Sequence, residues 1–515
     1  MEKCKFTSIF PPRAAVDLTA IALLWSVAVI VVNPIGDFPL NDDWSYGMTV
    51  KRLVEGAGYH PTGWTFMTLI TQVLWGALFC LARGFSFTAL RFSTLVLSLI
   101  GLLALYILVR QVQRPRLLAV TCVLTLAFNP IYFALSNTFM TDVPFTTLTI
   151  LTALFFVRHL QNGSDADLWL GAALAVAATL CRQLGLCLPI TLAATLWLKH
   201  GCQKRWIWRA VLPLLVSVVA LAAFQHWLKV TGKIPNLYEH KADRLVAALT
   251  HPARIPLNVS YFGWSMLMYL GCFLLPLTLP TWFWGRRAPE RPRSILLARL
   301  ALGLFLVASV VRFIVVPSLM PVHNNILIPQ GIGPATLRDT FNLHLAHLPA
   351  LPPAFWLVVT ALSLAGAALL VFKTTTVIVD LFPNCRFDRA NNDGVIGTFF
   401  LLCASAYLLP FLLGGFFDRY LLPVMAFLAP FLAVSLRGPG SQPTRTQYIA
   451  TMLLLASSGV FALAGTRDYL EWNRTRWRAV EALLAQKDVK PEDVDGGFEF
   501  ISILAMATVV GWMGH

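Results

Sequence analysis

Two adjacent carboxylates, Asp42 and Asp43, stand in the segment Pro39-Leu40-Asn41-Asp42-Asp43-Trp44-Ser45-Tyr46, shortly after the first long apolar run. A carboxylate so placed can orient a hydroxyl group and take its proton during attack on an electrophilic carbon. The residues also have a plainer use. Asn and Asp are favoured helix N-caps, and an acid in the first turn suits the helix dipole; one residue can serve both ends. Asp142, in Thr141-Asp142-Val143-Pro144, sits at the mouth of another apolar run, where capping is again the plain use. Arg182-Gln183 splits the apolar stretch 168–198. A cation there calls for an anionic partner or a water-filled cavity, unless it snorkels to the surface. Asp418-Arg419-Tyr420 is a second polar knot at a helix end. Arg is always charged and bonds phosphate through two donors. His60 and the loop residues His323, Asn324 and Asn325 are less specific, since lone polar loop residues usually face water.

Acids and arginines gathered at one membrane face suit a lipid-linked anionic substrate, and a sugar on a polyprenyl phosphate fits. The carboxylate would deprotonate the acceptor hydroxyl, and an Arg would take up charge on the departing lipid phosphate. The phosphodiester is already a good leaving group, so no second carboxylic acid is required, unlike ordinary glycoside hydrolysis. A single attack from the far side would invert the anomeric centre.

The elements that must carry these groups are membrane helices. The chain has 515 residues, 57% hydrophobic and 13% charged, with apolar runs of the length a bilayer demands. Backbone in lipid satisfies its own hydrogen bonds, so the runs are helices. The net charge of +15 flanks the runs, as topology signals do, and does not indicate nucleic acid. The first run, residues 14–32, follows Lys3, Lys5 and Arg13 and reads as a first span, not a removable leader. The nine cysteines show neither metal spacing nor a paired framework. There is no HExxH, no P-loop and no solenoid repeat, and Gly331-Ile332-Gly333 lacks the third glycine of a dinucleotide fingerprint.

The expected crossings are 15–33, 91–110, 117–135, 143–158, 168–182, 184–198, 207–228, 261–285, 295–316, 353–373, 395–415, 420–436 and 447–465. Segment 64–82 is apolar too, but if it crossed, every later basic loop would lie outside. If it only dips into the membrane face, five clusters share the cytoplasm: Arg110/Arg114/Arg116, Lys199/Lys204/Arg205/Arg209, Arg286/Arg287/Arg291/Arg293, Lys373/Arg386/Arg389 and Arg437/Arg445. The reading is therefore about thirteen crossings, N-terminus inside and C-terminus outside. The outer loops 34–90, 229–260 and 318–352 then share a face with Asp142, Arg182 and Arg419. The stretch from Asp42 to Glu55 would lie along that surface with Trp44, Met48, Leu53 and Val54 as its apolar side. Segment 236–252, with Leu237, Leu245 and Val246 among Lys241, Arg244 and His251, reads as a second interfacial helix. Residues 1–465 form the membrane domain, and 466–515 an outer tail in which Trp472, Trp477 and Leu483 alternate with charges. The apolar stretch 501–510 that ends the tail is too short to span.

This pattern resembles the GT-C superfamily of membrane glycosyltransferases, and within it the protein O-mannosyltransferase and aminoarabinose-transferase (ArnT-like) group. That group carries an Asp-Glu pair after its first span; Asp42 and Asp43 match, with Asp in the second place. The resemblance implies an all-α polytopic GT-C fold with interfacial helices in the first outer loop. It makes Asp42 the catalytic acid-base residue with Asp43 supporting. Thr141-Asp142-Val143-Pro144 is similar to a later family loop, and Arg182-Gln183 and Asp418-Arg419-Tyr420 to the substrate-phosphate side. The donor would be a polyprenyl-phosphate-linked sugar and the acceptor a lipid, a glycan or a protein, in the plasma (inner) membrane with the site extracytoplasmic. Clustered acids could hold a divalent cation, yet no ligand spacing demands one.

Two other readings compete. A transporter or flippase would show repeated halves and charged sites near the bilayer midplane; Arg299 and Arg312 in span 295–316 are what favours it. A polymerase or ligase of lipid-linked glycans would share the lipid substrate without needing an acid pair after the first span.

Overall fold

A helix end leaves backbone groups unpaired, so where helix ends meet, polar side chains gather, and these meetings define the architecture. The computed structural model describes residues 14–112, 114–240, 243–284, 292–334, 337, 350–381, 391–434 and 444–513. The first helices are α1 Ala14–Val32, α2 Asp43–Val54, α3 Ile70–Cys80, α4 Phe87–Gln111, α5 Arg116–Ala127, α6 Pro130–Ser136 and α7 Asp142–Asn162. Then follow α8 Asp165–Cys181, α9 Cys187–His200, α10 Lys204–Val230, α11 Asn236–Glu239, α12 Asp243–Thr250 and α13 Ile255–Trp284. The last are α14 Pro292–Val315, α15 Pro353–Leu381, α16 Asn392–Gly414, α17 Leu422–Val434, α18 Arg445–Leu484 and α19 Phe498–Met513. A short antiparallel hairpin, β1 Leu327–Ile328 and β2 Gly331–Ile332, is the only strand pair among the described residues.

Among the described residues nine helices are long and apolar enough to cross a bilayer, and a tenth if α5 and α6, bent by 65°, count as one. Asn129 sets that bend: its side chain accepts the Ile131 and Tyr132 amides at 3.0 Å, and Pro130 opens the new helix. The three other expected crossings fall on α8, α9 and α17, of 17, 14 and 13 residues. All three abut 3-10 turns, Gln183–Leu186, which Arg182 precedes, or Asp418–Leu421, which contains Arg419. The turn at Gln183–Leu186 divides α8 from α9, while α17 is described only as far as Val434, with residues 435–443 outside the described ones. Helix α3 has only 11 residues, about 16 Å of rise, so segment 64–82 cannot span.

Contacts sort the helix ends into two sets. At one end Arg116 pairs with Asp17, Arg114 with Asp393 and the Val434 carbonyl, Arg209 with Asp165, and Lys199 with the Leu160 carbonyl. At the other end Arg91 meets the carbonyls of Pro34 and Gly36, and the turn before α7 meets α2. Followed along the chain, the ends alternate, with α2 and α3 both on the second side. The described basic residues Arg110, Arg114, Arg116, Lys199 and Arg209 gather at the first end, away from Asp42. Lys3, Lys5, Arg13, Lys241, Arg286, Arg287, Arg291, Arg386, Arg389 and Arg437 lie outside the described residues.

Two sequence expectations change in detail. The first two turns of α2 are buried on nearly every side, not on one face. And α18 runs on to Leu484, well past the expected crossing 447–465. The end of an apolar run ends a membrane crossing; it does not end a helix when no breaker follows.

The tightest helix contact joins α13 and α15. A Cβ on Gly366 would stand 2.1 Å from the Gly271 carbonyl oxygen, and one on Gly271 2.3 Å from the Ala367 nitrogen. Small residues at such a crossing let two backbones touch. Gly366→Val is expected to cost about 1–3 kcal/mol, read as a lower thermal midpoint in detergent. Gly303→Ala on α14, where a Cβ meets nothing within 4 Å, should leave the midpoint unchanged.

Candidate active site

The second end of the bundle collects Asp42, Asp142, Arg182, Arg419 and Tyr420. Asp42 precedes α2 at the N-cap position, yet its side chain makes no capping hydrogen bond. Instead Oδ2 accepts from Arg419 Nη2 at 3.1 Å and Oδ1 from the Trp64 indole at 3.0 Å. Its side chain keeps 17% exposure, against 5% for Arg419. Asp142 begins α7 but does not cap it either: Oδ1 accepts from Arg182 Nη2 at 2.8 Å. Arg182 Nε is taken by the Thr141 hydroxyl at 2.8 Å. Tyr420 stands between the two cations, its ring 5.5 Å from the Arg182 guanidinium and 5.7 Å from that of Arg419. Phe411 packs on that ring at 4.8 Å.

Backbone breaks put the arginines there. Arg182 is extended after α8, and the following turn closes on its carbonyl through the Gly185 amide at 2.8 Å. A Cβ on Gly185 would lie 2.4 Å from the Thr179 nitrogen, so only glycine lets this turn fold back on α8. Asp418 anchors the other turn. Its buried carboxylate accepts the Leu327 amide at 2.8 Å, the Ile326 amide at 3.1 Å and its neighbour Arg419's amide at 2.7 Å. The β1–β2 loop is thereby fastened to the residue before Arg419. Burial pushes the Asp418 carboxyl up to about 6, against the opposing pull of those amides and of Arg419.

Several hydrogen-bonding positions in this cluster have no partner among the described residues. They are Arg419 Nε and Nη1, Asp142 Oδ2 and the Tyr407 hydroxyl, all buried. Burial holds the Tyr46 phenol well above its usual value, with Asp42 and Asp142 adding to the rise and Arg419 and Arg182 opposing it. A site with two guanidiniums, two carboxylates and free donor positions is fitted to hold an anion beside a group that can accept a proton.

Asp43 looks the other way. It is fully buried, and its oxygens accept the Leu40 amide at 2.5 Å and the Phe139 amide at 3.1 Å. Gln72 takes the Phe139 carbonyl at 2.6 Å, so Asp43 ties the first loop to the turn that carries Asp142. Burial pushes its carboxyl up to about 7, although Arg91 and the two amides favour the charged form. Because the folded value is raised, Asp43 adds stability that is full below about pH 4 and is lost as the pH rises through 7. The thermal midpoint of Asp43→Asn should therefore vary less between those limits than that of the unaltered protein. Equal slopes would place the titration elsewhere.

Gln183 reaches the Phe66 carbonyl at 3.4 Å and joins its turn to the first loop. His60 is exposed and has its carbonyl bound by Arg52; no contact joins it to Asp42 among the described residues. Among the described residues no three His, Cys, Asp or Glu side chains form a metal-ligand set, and Asp42 and Asp43 diverge, so the pair does not chelate. Trp64, Tyr46 and Tyr407 are site residues that the sequence reading missed. Tyr46 stands four positions after Asp42, one helical turn, and could have been found. Tyr407 is a mid-helix residue with no local signal.

A family model described as dolichyl-phosphate-mannose-protein mannosyltransferase matches residues 68–228. That stretch contains Asp142, Arg182 and Gln183 and excludes Asp42, Asp43 and Arg419. No curated protein matches the chain. Among solved structures, the S. cerevisiae protein O-mannosyltransferase Pmt1-Pmt2 complex bound to the sugar donor is 14% identical, covering 44% of this chain and 34% of that one, with a TM-score of 0.34. ArnT from Cupriavidus metallidurans bound to undecaprenyl phosphate is 14% identical over 94% of this chain and 84% of that one, with a TM-score of 0.43. Its apo state gives the same identity and TM-score, over 94% and 83%.

Proposed function

We propose that this chain, similar over residues 68–228 to the dolichyl-phosphate-mannose-protein mannosyltransferases, is a membrane glycosyltransferase. It moves a sugar from a polyprenyl-phosphate donor to an acceptor hydroxyl, with inversion. The observation that carries this reading is the pairing of Asp42 with Arg419 beside the Asp142–Arg182 pair, with Arg419 Nε and Nη1 unmatched among the described residues. Asp42, the more exposed of the two acids, orients the acceptor hydroxyl and takes its proton as the oxygen attacks the anomeric carbon. The bond from that carbon to the phosphate oxygen breaks, and the electron pair leaves with the lipid phosphate. Arg419, backed by Arg182 across Tyr420, takes up the added negative charge. Asp142 keeps Arg182 charged and in place, and Asp43 holds the loop. Trp64 and Arg419 fix the Asp42 carboxylate from both sides, so little reorganisation is needed at the moment of reaction.

The orientation follows from the positive-inside rule. The end bearing Arg110, Arg114, Arg116, Lys199 and Arg209 faces the cytoplasm, and the site faces away from it. The transporter reading loses its main support. Arg312 bonds the Val316 carbonyl at 3.1 Å near the helix end and lies over the Tyr261 and Trp264 rings, and Arg299 is exposed. The test is reconstitution with a panel of polyprenyl-phosphate sugars, followed by mass analysis and assignment of the product anomer. Transfer with inversion from one donor supports the reading. A product of retained configuration would overturn the single-attack mechanism.

A further inference from the structure

The first loop is gripped from an unexpected quarter. Residues 494–506 fold back from the far part of α18. Val494 and Phe500 pack with Val480 into a small apolar core of their own, flanked by Trp477. Glu499 is fully buried, and one oxygen accepts from Arg476 Nη1 at 2.7 Å. Its other oxygen accepts the backbone amide of Asn41 at 2.8 Å, 458 positions earlier in the chain. Asn41 is the residue before Asp42 and sits at φ +54, a left-handed conformation that costs energy unless something holds it. The neighbouring Phe498 ring lies 5.4 Å from the ring of Trp64 and 6.3 Å from that of Trp44. Trp64 is the donor to Asp42 Oδ1. Arg52, on α2, also reaches this segment, through Met506 Sδ at 3.3 Å.

We propose that Glu499 and Phe498 are positioning residues for Asp42: Glu499 fixes the strained turn before the carboxylate, and Phe498 backs the indole that holds it. The inference rests on the reading of Asp42 as the base. Neither residue touches the charged cluster around Arg182, so donor binding should not depend on them. A base displaced by a fraction of an ångström loses rate, not affinity.

The experiment uses the full chain in detergent or liposomes. Glu499→Ala and Phe498→Ala are expected to lower kcat by about 10- to 100-fold with the donor KM unchanged. Phe498→Tyr, which keeps the ring, should restore kcat. Hydrogen exchange on the peptide covering residues 38–46 gives a readout that needs no substrate, and it should quicken in both alanine variants. Unchanged exchange and kcat in both, against an inactive Asp42→Asn, overturns the positioning role alone. A parallel fall in kcat, donor affinity and thermal midpoint makes the contact merely structural and also overturns it. Transfer at the normal rate by Asp42→Asn removes the base and its positioning residues together.

Discussion

Asp42→Asn is expected to lower sugar transfer by about 10²–10⁴-fold while leaving the thermal midpoint and donor binding close to unaltered. The substitution is nearly isosteric. Turned over, the amide still offers its carbonyl to the buried Arg419 Nη2, and the Trp64 indole it releases belongs to a residue 41% exposed, which water can pair. What it cannot do is accept a proton from an attacking hydroxyl. The expected signature is therefore a fall in kcat at near-constant donor KM. A fall in donor affinity with kcat preserved would instead make Asp42 a clamp for Arg419. Unaltered turnover would leave the site without its base.

The second large effect is on the folded state. Asp142→Ala removes the one acidic side chain that pairs with Arg182 among the described residues; Arg182 keeps just 5% exposure while Asp142 has none. Leaving a buried guanidinium uncompensated costs about 3–5 kcal/mol. The Thr141 hydroxyl and the Tyr420 ring offset only part of that. Replacing both partners by apolar residues, as Asp142→Leu with Arg182→Met, removes the charge with the counter-charge and should recover most of the loss. Transfer should stay abolished in the double variant, because the guanidinium behind Tyr420 is gone. Stability that recovers without activity would separate the pair's chemical role from its structural one. A single variant as stable as the unaltered protein would mean that water reaches Arg182.

How far the sequence carried can be judged residue by residue. Long apolar runs and their basic flanks were enough to find the helices, because lipid leaves the backbone no other choice. The same logic set aside segment 64–82. Arg182 was picked out as a charge where charge is costly, Asp42 and Asp142 as acids at the mouths of apolar runs and Arg419 as part of a polar knot at a helix end, and the structure brings all four together. Asp42 and Asp43 read as one acidic pair in sequence, but successive residues on a helix point about 100° apart. One therefore joins the charged cluster and the other the packing beneath it. Trp64, Tyr407 and Glu499 were out of reach for a different reason. Their contacts are made across 22 to 458 positions, and no local spacing records such distances. The tail read as a soluble appendage because its charges alternate with tryptophans; in the fold Arg474 and, through Glu499, Arg476 reach the first loop, while Glu471, Arg478 and Glu481 stay exposed.

Helix α18 has one more consequence. Its 40 residues give a rod of about 60 Å, twice the hydrocarbon thickness of a bilayer. Its apolar half must settle in lipid, while its polar half stands clear and carries Arg474 to the carbonyls of Asn33 and Ile35 and, through Arg476 and Glu499, a grip on Asn41. The rod thus links the apolar half of α18 to the turn before Asp42, like a depth gauge for the first loop. A thicker or thinner membrane meets a helix of fixed length by changing its tilt. On the reading of Asp42 as the base, transfer rates measured in bilayers of different acyl-chain length are expected to differ.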